Sequence, residues 1–406
     1  MSKIVFLELR LFRNSMVETY QINQLRDAGH EVEIWHLGSL FGVSDNLVLH
    51  APAIEEYAII ISSFQELKDR VRKLEANSIF FSMLGLLHFY PVLYKILKSR
   101  NDLIWIGRIT KSLPMGSSRQ IHPLKALIGN IFFFKLYRPF HNAFLYVAQK
   151  VIRKYGAAVG MRSYEPDYLM VSNVKQVPPD FPKNRVIVTH ADDYNIHLLN
   201  KDISVDPSLQ DAVVFLDQMI FYHPDFKNNL REKMNVDDYY ENLNKVLDAI
   251  SEKLGKPVII AGHPEADKRP GYAEKFNGKK FIVGKSLLLV RHAALVISHY
   301  STAVNFAAIY NKPLVLLTSN GFETIEKIRN PIKVLSKALN APVINIDEVN
   351  LQSIDLKLEP DYLEYKDDYI KSHNTPEELS YPYAVSYVLS LVSGETPEAQ
   401  QVSLQG

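Results

Sequence analysis

Along the first two hundred residues, short apolar runs alternate with longer segments whose apolar residues recur every three or four positions. "KIVFLEL" is followed by "SMVETYQINQLRDAGH" and then by "EVEIWHL", the strand-helix-strand order of a doubly wound unit. The glycine of "DAGH" is placed to stop the helix before the second strand. "YAIII", "NSIFFSML", "DLIWIGRI", "YLMVSN" and "RVIVTH" read as further strands, and "FQELKDRVRKLEA" as a helix by its period.

The pattern breaks at "HADDYNIHLLNKDISVDPSLQDA", residues 190–212, where polar and turn-forming residues predict a hinge near 195–210. A second series follows: the strand "AVVFLDQ", the long helix "VDDYYENLNKVLDAISEKLG" and the strand "KPVIIA". Next come "KKFIVG", the helix "SLLLVRHA", the strand "ALVISH", the helix "STAVNFAAIYN" and the strand "KPLVLLTS". These strands are rich in valine and isoleucine with little alternation, as helices covering both faces of a parallel sheet require. The expectation is an α/β chain of two Rossmann-like domains, residues 1–200 and 208–350, with an interdomain cleft. Residues 351–406 form a C-terminal extension that packs back across the hinge and ends in a helix at "PEELSYPYAVSYVLSLVSG".

Length and composition fit this reading, since 406 residues with 47% hydrophobic and 22% charged content suffice for two globular cores. The 46 basic and 45 acidic residues leave a formal charge of +1, so bulk electrostatics makes no case for nucleic acid as a partner. The sequence has no cysteine, which removes disulfides, thiolate nucleophiles and cysteine metal sites and permits a reducing cytoplasm. "MSKIVFLEL" runs into "RLFRN" too soon for a signal peptide and reads as a buried strand. Residues 124–156 come nearest to a membrane segment, but Lys135, Arg138, Pro139 and His141 cut the apolar runs below the roughly 20 residues a span needs. With Lys125, Lys150, Arg153 and Lys154 interleaved, the segment either packs internally or attaches peripherally to the inner face of an anionic membrane.

Ligands of open parallel sheets bind beyond the carboxyl ends of the strands. Four apolar runs of the second half end in residues able to do chemistry: Asp217, His263, Gly284-Lys285-Ser286, and Ser298 through Thr302. "SHYSTAVNFAA" sets Ser298, Ser301 and Thr302 between a strand and the first turn of a helix, where free N–H groups suit a phosphate; a plain helix cap is the other reading. "VGKSLLLV" repeats the arrangement without the full phosphate loop of nucleotide triphosphatases, which weighs against a kinase or ATPase. His263 can donate to a phosphate with Pro264 stiffening the chain behind it, or the pair can be a turn. Glu265 and Asp267 offer acceptors for ribose hydroxyls or for solvent, and Lys268 and Arg269 read as a solvated loop.

Asp217, a charge among apolar neighbours, needs a partner or a function. It and the pair Asp192-Asp193 are candidates to take a proton from a sugar hydroxyl, with helix capping the alternative for the pair. His223, in "FYHPDF", is read into the loop closing over the same crevice. His190, Asp192, Asp193 and His197 are close in sequence but match no strong metal motif, and no metal site is assigned. In the first domain, Arg10, Arg13, Asn14 and Ser15 and the loop 107–123 are candidates to receive an acceptor.

The ordered pattern "VVFLDQ…GHPE…GKS…SHYSTAVNFAAIYNKPLVLLT", residues 213–318, resembles the donor domain of bacterial two-domain (GT-B-like) glycosyltransferases that use CMP-activated acidic sugars. These include the sialyl and nonulosonic-acid transferases and the 3-deoxy-octulosonic-acid transferases of capsule or lipopolysaccharide synthesis. The resemblance implies a CMP-sugar donor, a glycan or lipid-linked glycan acceptor and no required cofactor or metal. It also implies contacts of His263-Pro264 and Ser301-Thr302 with the cytidine nucleotide phosphate. The chain lacks the paired-acid-glycine form of base found in some sialyltransferases, so Asp217 and Asp192-Asp193 compete for that role. A nucleotide-sugar epimerase or hydrolase of the same build and a noncatalytic carbohydrate-binding assembly protein are the alternatives.

Overall fold

The computed structural model describes residues 1–9, 12–41, 51–83, 91–109, 113–114, 166–179, 181–222, 230, 234–354, 356, 358–373 and 375–395. The chain forms two compact units, one of Met1–Thr110, Ser117–His190 and Asn374–Gly406, the other of Lys111–Gly116 and Ala191–His373.

In the first unit, β1 (Lys3–Glu8), β2 (Glu31–His36), β3 (Ala58–Ile60), β4 (Ile79–Ser82), β5 (Ile104–Ile109), β6 (Tyr168–Val171) and β7 (Val186–Val188) form one parallel sheet. Its order is β3-β2-β1-β4-β5-β6-β7. Alternate residues of β1 feed two cores: Ile4 and Phe6 pack with Tyr20, Phe81 and Tyr381, whereas Val5 and Leu7 pack with Trp35, Leu67 and Phe80. Burial on both faces is why this strand shows no polar alternation until Glu8.

The single helix expected after β1 is two short ones, Met16–Thr19 and Ile22–Asp27, because Gln21 between them takes a left-handed backbone with φ 54°. The expected stop is present: Gly29 sits at φ 85°, and the N–H groups of Gly29 and His30 donate to the carbonyls of Arg26 and Leu25. This closes the helix in the manner that favours glycine past its end.

In the second unit, β8 (Val213–Leu216), β9 (Val258–Gly262), β10 (Lys280–Val283), β11 (Leu295–Ser298), β12 (Leu314–Thr318) and β13 (Val343–Asn345) make a second parallel sheet, ordered β10-β9-β8-β11-β12-β13. The helix Val236–Leu254 is capped by Asn235, which accepts the Asp237 N–H, and ends at Gly255 with φ 62°. Elements that escape the sequence reading include the edge strand β13 and the helix Glu326–Leu339, which contains Pro331 and buries Ile328, Ile332, Leu335 and Leu339. The α/β class with two Rossmann-like sheets is as expected.

The division of the chain differs from the expected boundaries. The units part between His190 and Ala191, and the supposed hinge holds the helix Asp192–Leu199. Three sets of bonds tie that helix to the second unit. The Ala191 N–H donates to the Ile370 carbonyl at 2.7 Å, and the Asn305 amide donates to Asp193 at 2.7 Å. The Arg291 guanidinium donates to the carbonyls of Asn200, Lys201 and Ile203 at 2.6, 3.2 and 3.1 Å. The expected extension 351–406 is likewise divided: residues up to His373 belong to the second unit, and the helix Ser380–Ser393 buries Tyr381, Ala384, Val385 and Val388 in the first.

The segment 124–156, read as packing internally or attaching to a membrane surface, lies outside the described residues, as do Arg10 and His223. Among the described residues, no helix is long and apolar enough to cross a membrane.

Candidate functional site

Strand order and register bring the four chosen strand ends of the second unit side by side. Val283 pairs with Gly262, Ala261 with Leu216, and Phe215 with Ile297, so the residues that follow β10, β9, β8 and β11 leave one edge of the sheet in sequence. Gly284, His263, Asp217 and Ser298 are therefore carried on neighbouring strands.

Asp217 is 9% exposed and is held from several sides. Its carboxylate accepts the Met219 N–H at 3.1 Å and the Tyr272 hydroxyl at 2.9 and 3.0 Å to its two oxygens. Burial pushes its pKa up to about 6, while the Met219 amide, the Tyr272 hydroxyl and the His263 and Gln218 amides pull it down. Burial, then the Asp217 charge, drive the Tyr272 pKa far upward, so the phenol keeps its proton and donates it. Asp217 thus pins the turn after β8 to the segment that follows the His-Pro pair.

His263, half-buried, accepts the Glu265 N–H on Nδ1 at 3.1 Å, which leaves the proton of the neutral ring on Nε2 as its donor. Its carbonyl accepts the Ala266 N–H at 2.8 Å, so the turn reading and a defined donor coexist. Pro264 and Asp267 are exposed. Glu265 pairs with Lys268 at 2.8 Å on the surface, a contact worth little in stability. Lys268 and Arg269 are exposed, as a solvated loop requires, and the Arg269 guanidinium lies over the Tyr222 ring, 4.6 Å from the centroid. Gly284 turns at φ 76°, the exposed Lys285 follows, and Ser286 opens the short helix Ser286–Arg291.

At the end of β11, Ser298 is fully buried and its hydroxyl meets no hydrogen-bond partner among the described residues. His299, missed by the sequence reading, fastens the strand end from behind. Its Nδ1 lies 2.9 Å from the Leu317 carbonyl and must donate, so Nε2 accepts the Tyr239 hydroxyl at 2.7 Å. Burial lowers its pKa to about 4, which keeps the ring neutral. Gln218 accepts the Tyr300 N–H at 2.9 Å and joins the turn after β8 to that after β11. Ser301 accepts the Ala303 N–H at 3.2 Å, so a capping role is present, and that bond leaves the proton of the Ser301 hydroxyl for another acceptor. Thr302 is exposed, and its carbonyl accepts the Asn305 N–H at 3.1 Å.

Asp193 reaches the same loop by a different route. Its Oδ2 accepts the amide of the fully buried Asn305, in the helix Val304–Ile309 that follows Ser301-Thr302. The other end of that amide accepts the Tyr365 hydroxyl at 2.7 Å. Although its edge stays accessible to solvent, the surrounding packing pushes the Asp193 pKa up to about 7; Asn305 opposes the shift and the neighbouring Asp192 adds to it.

Two clusters result: Asp217 with the His263 turn, and Asp193 with the Ser301-Thr302 helix. His190 bonds to the Glu378 carbonyl at 2.6 Å within the first unit, whereas the aspartates and His197 belong to the second. Among the described residues, no group of three His, Asp or Glu is arranged to hold a metal ion. In the first unit Asn14 accepts the Ala53 N–H at 3.1 Å, and Arg13 and Ser15 are exposed.

Sequence signals for the missed residues are uneven. Gln218 and His299 each stand one residue beyond the polar residue that ends an apolar run, Asp217 and Ser298, and are within reach of the same argument. Tyr272, 55 positions from the aspartate it binds, had no local signal.

The Asp193 pKa carries a testable sign. Folding raises it from 3.8 to about 7, so the associated stability is fully present below about pH 4 and is lost as pH rises through about 7. Relative to the parent, Asp193→Asn is expected to gain about 2 kcal/mol between pH 5 and pH 8, after allowance for solvent at the exposed edge. Parallel thermal melts at the two pH values measure it; a constant difference in Tm would show that the carboxylate is ionised throughout.

No model of a protein family matches the sequence, and no curated protein matches it. Among solved structures, the chain is similar to CalG4, the calicheamicin glycosyltransferase, at 12% identity and TM-score 0.46, over 98% of this chain and 100% of that one. It is similar to the wall teichoic acid polymerase TagF at 12% identity and TM-score 0.45, over 97% and 89% of the two chains. It is also similar to the UDP-GlcNAc 2-epimerase of Methanocaldococcus jannaschii at 12% identity and TM-score 0.44, over 96% and 99%.

Proposed function

We propose that this protein is a glycosyltransferase that moves an acidic sugar, a nonulosonic acid or 3-deoxy-octulosonic acid, from a CMP donor to a hydroxyl of a bacterial surface glycan. The observation that carries the reading is the row of adjacent strand ends offering the His263 Nε2–H, Lys285, and the Ser298 and Ser301 hydroxyls. A phosphate placed along this edge meets donors and positive charge on neighbouring strands, and a leaving nucleotide is stabilised by those groups.

Asp193 is the better base of the two candidates. Its pKa of about 7 suits a group that must take up a proton near neutrality, whereas the oxygens of Asp217 are already engaged by Tyr272 and by main-chain amides. Asp192, in the same first helical turn, contributes its charge to the high affinity of Asp193 for a proton. In this reading Asp217 positions the His263 turn and touches no reacting atom.

The test is an assay that follows CMP release and glycan mass together, in chelator, across CMP-linked sialic, legionaminic, pseudaminic and 3-deoxy-octulosonic acids. The expected result is CMP release matched by a glycan heavier by one acidic sugar, undiminished by chelator. Free or isomerised sugar without glycan extension would replace the transferase by a hydrolase or epimerase. Tight CMP binding with no donor consumed would leave a noncatalytic carbohydrate-binding protein.

A further inference from the structure

The sheet of the first unit has its own polar row at the carboxyl edge. Glu8, the last residue of β1, pairs in register with His36, the last of β2. Leu7 pairs with Ser82, and Ser82 with Gly107, so Arg108 stands level with Glu8 across the β1/β4 junction, where strand order reverses. Open α/β sheets place ligands at such a junction.

The three side chains share the face occupied by Ile4 and Phe6. Glu8 accepts the Tyr20 hydroxyl, the His36 ring meets the edge of Phe12 at 5.1 Å, and the Arg108 guanidinium lies over Tyr381, 5.3 Å from its centroid. Each of these aromatic partners belongs to one core, which holds the polar groups in fixed positions.

Gln21 supplies the observation that points to a ligand. Its Oε1 accepts the Tyr381 N–H at 2.9 Å, which fixes the orientation of the amide, and its Nε2 is buried with no acceptor among the described residues. A buried donor left unpaired costs about 1–3 kcal/mol. The same residue holds a left-handed backbone, itself unfavourable for a side chain of this kind. Gln21 follows Tyr20, which donates to Glu8, and is bonded to Tyr381, on which Arg108 lies; a group that arrives there to accept the Nε2–H removes the cost of the unpaired donor.

The geometry points to a binding site on this edge for a sugar carrying one anionic group, a carboxylate or a phosphate. Arg108, flattened on Tyr381, pairs with the anion; Gln21 Nε2 donates to a sugar oxygen; Glu8 accepts from a hydroxyl and repels a second anion at its end. Glu8 and Arg108 are two strand spacings apart, on the order of 10 Å between Cα atoms, a span that one pyranose with an exocyclic acid group bridges. Calling this sugar the acceptor rests on the transferase reading, whereas its binding does not.

The experiment titrates the full chain, without donor, with 3′-sialyllactose, glucose 6-phosphate and lactose by calorimetry, and separately with CMP. At least one anionic sugar is expected to bind at least tenfold more tightly than lactose, the tighter of the two naming the anion. Arg108→Gln should weaken it at least tenfold and Gln21→Met several-fold, both with CMP binding unchanged, the Gln21 variant at a lower Tm because the buried Tyr381 N–H loses its acceptor. Arg108→Lys, which keeps the charge should the first variant fold poorly, should retain part of the preference for anions. Equal binding of lactose and the anionic sugars would overturn the inference, as would well-folded Arg108 and Gln21 variants with parental affinities. Failure of CMP to bind while sialyllactose binding still depends on Arg108 would remove the donor reading and leave this site standing.

Discussion

Replacing His263 with alanine should lower kcat/KM for the CMP-sugar about 10²–10³-fold while leaving Tm within a degree or two. Loss of one donor aimed at developing negative charge has an effect of that order. The His263 ring is half-buried and accepts the Glu265 N–H within its own turn, a local contact whose loss costs folding little. The Ala266 N–H to His263 carbonyl bond belongs to the main chain and survives the substitution. Steady-state kinetics with CMP release, beside thermal melts, measures both halves. A near-parental rate in a folded variant would remove His263 from the donor site.

Asp217→Ala should have a different signature, destabilisation by about 2–4 kcal/mol with activity falling alongside. The substitution leaves the buried Tyr272 hydroxyl and the Met219 N–H without their acceptor, each at a cost of about 1–3 kcal/mol, partly offset by removal of a desolvated charge. Asp217→Asn separates anchoring from catalysis, because its remaining oxygen still accepts from Met219 and the Tyr272 hydroxyl can accept from the new amide. Transfer by that variant is expected to stay within about tenfold of the parent. A general base lost to the amide would instead cost about 10²–10⁴-fold. Such a loss without any change in Tm would make Asp217 the base and displace Asp193.

The parts of the site legible in the sequence are those announced by a local pattern. An apolar run followed by a polar residue located Asp217, His263, Gly284 and Ser298, because strand ends in parallel sheets fall where burial on both faces ceases. The same rule applied to "KIVFLEL" stopped short of its own consequence: Glu8 lies inside that run, fully buried, and only register placed it beside His36 and level with Arg108. The hinge misread at 195–210 has a similar cause. Asp192–Leu199 is polar enough to pass for a linker, but bonds to Asn305, Ile370 and Arg291, all at least 90 residues away, bind it to the second unit.

By itself, the sequence determined the α/β class, the two series of strands and the residues at their carboxyl ends, because hydrophobic period and strand ends are local properties. Which aspartate is bound by a phenol and which by an amide, where the chain passes between units, and which buried donor lacks an acceptor were decided by tertiary structure alone. Each of those outcomes depends on partners distant in sequence, and the free energy of a buried charge or N–H is set by what surrounds it in space.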